Sequence, residues 1–359
     1  MNAPGGLVSS TTLPFGVNVV SWGPGSQWIA AGGGADGSGA TSERLAVIDA
    51  ASGGIRWSLA TELPVSDITV SPDGRWLAVS QGLVRVLSTD TGAERCRAPA
   101  DHQANMVVFS PDSSCVAATI RANDMDNPEP AWVMDAATGA IRWELPGHTI
   151  MGLAFSPDSR WVAAADSNGP VVVFDAATGA ERPWPDNVGA QWVVAVAFSP
   201  DGQSIAAGFG DNTARLFEAD TGRQAWVTTS GSASSVAFSA DGQWVAATGG
   251  VFRVADGSLR FAQPAQVPGD TVTFSPTLRH IAISNANWAQ GSPPQPGLTV
   301  LDAAKGSIIW QATVSQRNSP ASGRPSAATS ALPATGFNAF ETPLQRKTKL
   351  RQKRASRSP

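Results

Sequence analysis

Cysteine, histidine and lysine are all scarce in this chain. Its 359 residues include two cysteines, Cys96 and Cys115, and three histidines. Two cysteines are too few for a disulfide framework and fit a reducing compartment. Neither residue type shows the CxxC or HExxH spacing of a metal site, so no metal is expected. No run of 18 apolar residues occurs, and the opening MNAPGGLVSSTT lacks the basic and apolar stretches of an export signal. The expectation is a soluble, cytoplasmic protein without a transmembrane segment. Charged residues make up only 15% of the chain. With 36 glycines and 26 prolines, that composition points to many short elements joined by tight turns, not to long helices.

The charge that is present is unevenly placed. Residues 1–340 hold 18 Lys and Arg against 28 Asp and Glu, whereas residues 341–359 hold seven against one. Lys305 is the only lysine before residue 341. An acidic body thus carries a basic tail. The excess of arginine over lysine, 21 to 4, together with abundant alanine, fits a high-GC bacterial genome.

One unit recurs along the body. A turn follows an apolar run at Ser71-Pro72-Asp73-Gly74, Ser110-Pro111-Asp112-Ser113, Ser156-Pro157-Asp158-Ser159, Ser199-Pro200-Asp201-Gly202, Ser239-Ala240-Asp241-Gly242 and Ser275-Pro276-Thr277-Leu278, with Gly23-Pro24-Gly25-Ser26 a looser first copy. A second turn closes each unit, as in Asp49 to Gly53, Ser88 to Gly92, Asp135 to Gly139, Asp175 to Gly179, Glu218 to Gly222, the shortened Ala255-Asp256-Gly257, and Asp302 to Gly306. Repeats of this length are blade-sized. The first turn uses proline to preset φ, Ser and Asp to bond backbone, and glycine to accept positive φ. In the second, the aspartate accepts backbone N–H groups and glycine again turns the chain.

Between the turns lie runs such as RWVAAA, VVVFD and AIRW, four β stretches per unit. They are apolar almost throughout, so both sheet faces are covered. The reading is an all-β, seven-bladed β-propeller of four-stranded antiparallel blades over residues 1–314, followed by a disordered Ser/Pro/Ala-rich linker and basic tail at 315–359. Either residues 307–314 or residues 7–15 supply the outer strand of the last blade.

The segment Ala197 to Gly222, AFSPDGQSIAAGFGDNTARLFEADTG, resembles the WD-repeat family, with its inner strand, turn and third strand in that family's order. The resemblance spans about 300 residues of the chain and implies a protein-binding propeller. In place of the Trp-Asp dipeptide stand Ile48-Asp49, Phe174-Asp175 and similar pairs, and the Gly-His dipeptide occurs once, at Gly147-His148. The resemblance therefore implies that the family's buried hydrogen-bond network is mostly lost, with Asp211 its best surviving member. DAATGAIRW, Asp135 to Trp143, resembles the tryptophan-docking repeat of pyrroloquinoline-quinone propellers, and Trp57, Trp143, Trp226 and Trp310 share its spacing. That likeness implies blade interlocking. The paired neighbouring cysteines and the calcium site of the secreted quinoprotein dehydrogenases have no counterpart here, and no cofactor is expected.

Scarce reactive side chains fall into repeat slots. Cys96 takes the tryptophan-docking slot, while Cys115 and His280 take the slot of Trp28, Trp76, Trp161 and Trp244. His102 and His148 each lie seven residues before an inner-strand phenylalanine. No histidine is left for a nucleophilic triad, and turn aspartates spread round a ring do not converge as acid and base, so no catalytic residue is assigned.

Length varies mainly where the second strand joins the third. That connection expands to residues 31–44 in the first unit, 121–130 in the third and 285–297 in the seventh. Insertions on one face of a repeat protein mark its binding face. Asp124, Asp126, Glu129, Trp288 and Gln290 are therefore the candidate contacts for another protein or peptide. In the tail, Arg346, Lys347, Lys349, Arg351, Lys353 and Arg354 are candidates for weak contact with nucleic acid or an anionic surface. The expected function is a monomeric, non-catalytic interaction scaffold. The alternative is a propeller enzyme or cofactor binder, quinone-dependent dehydrogenase-like or lactonase-like, that uses the central channel.

Overall fold

The computed structural model describes residues 13, 15–34, 42–119, 130–145, 148–167, 169, 171–182, 184, 192–229, 233–264, 271–275, 278–284 and 296–313. These residues form seven four-stranded antiparallel sheets in chain order, a seven-bladed β-propeller. Blade 5 shows the plan. Its strands Val193–Phe198, Ser204–Phe209, Thr213–Glu218 and Gln224–Thr229 run as a meander from the inner to the outer edge. In such a meander the first and third turns of every blade emerge on one face. The second connection and the link to the next blade emerge on the other.

The last blade supplies its own outer strand. Ile308–Thr313 pairs antiparallel with Pro296–Asp302, which decides between the two candidates that the sequence leaves open. Residues 7–12 lie outside the described residues.

The core lies between blades. Second strands such as Cys115–Thr119 are buried along their full length, and their alanines let neighbouring twisted sheets approach. Among the described residues, six apolar clusters join the blades pairwise in chain order. In one of them Val84 and Val86 of blade 2 meet Val107, Trp132 and Met134 of blade 3. Burying each such large side chain contributes about 1.5–3 kcal/mol, more than the roughly 0–1 kcal/mol of a surface ion pair. Blade interlocking therefore dominates stability.

Two blades depart from the plan. In blade 2 a single strand, Trp76–Ser88, carries both middle positions and turns at Gln81-Gly82, where Gly82 has φ 83°. The short strand Gln103–Ala104, from the link to blade 3, pairs with it at Gly82 and Leu83. In blade 4 the outer strand is only Glu181–Arg182. In blade 1, residues 31–34 and 42–44 belong to strands, so its connection is shorter than the sequence suggests.

Candidate functional site

The face carrying the fixed turns is internally satisfied. In five blades the turn serine donates Oγ to the aspartate two residues on, at 2.5–2.6 Å. The same oxygen accepts the N–H that opens the second strand, as from Trp76 and Trp161. In the second turn, Asp135 Oδ1 accepts the N–H groups of Ala137 and Thr138, and its Oδ2 holds Arg142 at 2.8 Å. The Arg142 bond and these N–H groups hold the Asp135 carboxyl down at about 2, against some opposition from burial. Asp49, Asp175 and Asp256 are lowered by the same kind of bonding. Carboxylates so occupied are held ionised and serve the turns that they close.

A bulge explains the second repeat signature. In blades 1, 2, 3, 5, 6 and 7 the outer strand skips one residue against the third strand. In blades 1, 2, 3 and 6 the skipped residue is an arginine. Arg56 and Arg142 turn onto their own turn aspartates at 3.0 and 2.8 Å. Arg95 and Arg260 stack over Trp76 and Trp244 at 4.1 and 4.2 Å. The next residue then points at the following blade. Trp57, Trp143 and Trp226 donate their indole N–H to the carbonyls of Thr89, Ala176 and Val254. Each ring lies on the turn glycine of that blade. At Gly179, with φ 72°, an added Cβ would sit 2.6 Å from Trp143 Cγ.

Cys96 occupies this slot too, its Sγ 3.4 Å from the Ala136 carbonyl. Burial pushes its thiol up to about 11 and raises that of Cys115, so neither is an activated nucleophile. The sequence pattern missed Trp184, which docks on Gly222. Blade 4 lacks the bulge at this point, so Arg182 takes the paired position opposite Val173 and the indole arrives one residue later. Arg182 instead reaches Asp220 of blade 5 at 3.2 Å and stacks over Trp161 at 4.7 Å. A cleft opens there, between blades 4 and 5, with Trp161, Val173 and Phe198 in its lining and Arg160, Asp201 and Asp220 among its polar groups.

The opposite face gathers the variable connections. Asp124, Asp126, Glu129, Trp288 and Gln290 lie outside the described residues, as do Arg346, Lys347, Lys349, Arg351, Lys353 and Arg354. What is described of this face includes exposed Leu63 and Trp192, at 54% and 48%. His102 bridges Asp101 at 2.8 Å and Glu144 at 2.9 Å and meets Trp132 edge-on. Burial lowers its pKa, but the two carboxylates together raise it overall. His148, at the position of the Gly-His dipeptide, bonds Asp166 at 2.7 Å. Asp211 instead holds Thr213 and Arg215, the latter at 2.7 Å.

One buried acid has no signature in the repeat. Asp67, 0% exposed, opens the inner strand of blade 2 and accepts the N–H groups of Ile68 at 2.8 Å and of Val107 in blade 3 at 3.0 Å. Desolvation raises its pKa to about 6 against these two bonds. In blade 6 Ser235 does the same for Val272 of blade 7. Both side chains thus tie neighbouring inner strands together. Among the described residues no group of three or more His, Cys, Asp or Glu is placed to hold a metal ion. No described helix is long and apolar enough to cross a membrane.

A family model described as outer membrane protein assembly factor BamB matches residues 41–191 and 131–339. Among solved structures, the computationally designed Ika8 protein is similar with a TM-score of 0.65 and 17% identity, over 85% of this chain and 89% of that one. The β-propeller domain of Cps50 (Swd1) from Myceliophteria thermophila gives a TM-score of 0.59 and 15% identity, over 79% of this chain and 96% of that one. At such identities these likenesses show the fold. No curated protein matches the sequence significantly.

Proposed function

Because this chain belongs to the family described as outer membrane protein assembly factor BamB, we propose that it is a non-catalytic scaffold that binds another protein or peptide through the face carrying its variable connections. The family's description concerns assembly of proteins, which is the work of a binding surface. The observation that carries the reading is the contrast between the two faces. On the fixed-turn face, serine hydroxyls and carboxylates are consumed by the turns themselves. The opposite face leaves Leu63 exposed next to the acid Glu62 in the link before blade 2, and Trp192 exposed at the entry to blade 5. Apolar anchors ringed by polar groups are the anatomy of a contact surface.

In this proposal Asp124, Asp126, Glu129, Trp288 and Gln290 extend the same surface, and the protein acts as a cytoplasmic monomer. Cell fractionation tests the placement, since the family's description names outer-membrane protein assembly.

The decisive experiment is affinity capture from native lysate with the full chain as bait, beside a variant in which residues 122–130 and 285–297 are cut to short Gly/Ser turns. A protein retained by the first and lost from the second supports the proposal. Equal retention by both moves the interface elsewhere. Retention by neither sinks the scaffold reading and turns attention to ligands of the central channel.

A further inference from the structure

Blade 2 turns between its middle strands at Gln81-Gly82, whereas in blades 1 and 3 residues 35–41 and 120–130 separate the same strands. The middle turn of blade 2 is thus two residues long, as is that of blade 6 at Thr248-Gly249, and the surface at this turn of blade 2, the notch, is framed by the links on either side of it.

Three segments meet there. The link from blade 1 brings Glu62, Leu63 and Pro64, all exposed. Leu63 lies against the turn, its Cδ1 3.0 Å from where a Cβ on Gly82 would stand. The link to blade 3 brings Asp101, whose side chain is 80% exposed, and His102 ties it to Glu144, 46% exposed. The described cations nearby are engaged. Arg44 is buried and donates to the Glu62 carbonyl, and Arg85 and Arg97 both hold Glu94 at 2.5 Å. The notch therefore offers an exposed leucine within a set of outward-facing carboxylates.

The same chain carries a segment of the opposite chemistry. Arg346 to Arg354 reads RKTKLRQKR, six cations with Leu350 at the centre. The outer strand of blade 7, Ile308–Thr313, runs from the fixed-turn face toward the connection face, so the chain leaves the last strand on the face of the notch. Residues 314–345 precede the basic run, rich in Ser, Pro, Ala and Gly. For a segment of that length and composition the random-coil expectation is a root-mean-square span of roughly 30 Å. Blade 2 is two places round the ring from blade 7. Tethering of this kind supplies an effective concentration of about 1 mM, enough to populate a contact that would be negligible between separate molecules.

We propose that Arg346–Arg354 folds back onto the notch of blade 2, with Leu350 against Leu63 and the flanking cations against Glu62, Asp101 and Glu144. The docked tail covers part of the face assigned above to a partner. It is then a built-in competitor for that partner, a consequence that rests on the scaffold reading although the docking itself does not.

The test uses the full chain with the photoreactive residue benzoylphenylalanine at position 350, irradiated at low micromolar concentration so that intramolecular products dominate. Crosslinks are expected within residues 62–66 and 99–104. They fall at least fivefold when Arg346, Lys347, Lys349, Arg351, Lys353 and Arg354 are replaced by glutamate, a change that leaves the propeller untouched. The variant Glu62→Lys, Asp101→Lys, Glu144→Lys loses the same crosslinks and regains them when combined with the glutamate tail. Crosslinks scattered over several blades, or insensitive to charge reversal, overturn the proposal. So does a tail that becomes protected only when heparin is added, which assigns it to external polyanions. No partner is needed for this readout, so its failure leaves the capture experiment to decide the scaffold reading by itself.

Discussion

Asp67 contributes to stability with a pH dependence opposite to that of the turn aspartates. Its carboxyl, buried between the inner strands of blades 2 and 3, has its pKa raised from 3.8 to about 6. Between those values the folded state binds the proton more tightly than the unfolded chain does. The resulting stabilisation is fully present below pH 4 and is lost as pH rises through 6, with a ceiling of about 3 kcal/mol. Asp135, held down at about 2, contributes stability at neutral pH that is lost as pH falls toward 2. Asp67→Ser, which copies Ser235 of blade 6, keeps an acceptor for the Val107 N–H and removes the titration. Urea midpoints of wild type and variant, compared at pH 4.5 and pH 7, should then show the variant relatively more stable at pH 7. A constant difference between the two would mean that Asp67 does not titrate in this range. Nothing in the sequence announced this acid, because the inner-strand position it fills is Met106 in blade 3 and Gly152 in blade 4, and only the pairing with the next blade gives it work.

At the scale of the element, the outer-strand bulge decides what the docking slot accepts. The sequence spacing found Trp57, Trp143 and Trp226 because the bulge fixes their distance from the turn glycine, and it missed Trp184 because blade 4 lacks that bulge between Glu181 and Arg182. The same geometry makes Cys96 more than an eroded tryptophan. At that junction a Cβ on Gly139 would lie 2.2 Å from the Arg97 carbonyl oxygen, so backbone occupies the space that an indole fills elsewhere. Cys96→Trp, which restores the repeat consensus, should therefore destabilise by about 1–3 kcal/mol through overpacking. Trp143→Phe keeps the ring but loses the hydrogen bond to Ala176, and should cost about 1–2 kcal/mol with the freed carbonyl included. Denaturant melts of both variants check the pair. Stabilisation by Cys96→Trp would show that the outer strand of blade 2 can retreat from Gly139.

For the whole molecule, the repeat made the architecture legible and concealed the site for the same reason. Seven copies of two turns report what every blade must share, and what they share is the interlocking that holds the ring together. Binding depends on where the copies differ, in connections whose lengths can be read but whose contacts cannot, so Asp124 and Trp288 could be placed on a face and no further. If packing between blades carries the stability, these connections are free of structural duty. Closing a loop costs free energy only as the logarithm of its length, about 0.6 kcal/mol per doubling. Cutting residues 122–130 and 285–297 to short Gly/Ser turns should therefore leave the melting temperature within about 4 °C of wild type, since 1 kcal/mol corresponds to roughly 2–4 °C in a chain of this size. That result would make loss of a captured partner a statement about recognition. A fall of roughly 10 °C or more, several times that conversion, would show instead that the connections pack against the blades, and the contrast between the two faces on which the scaffold proposal rests would no longer hold.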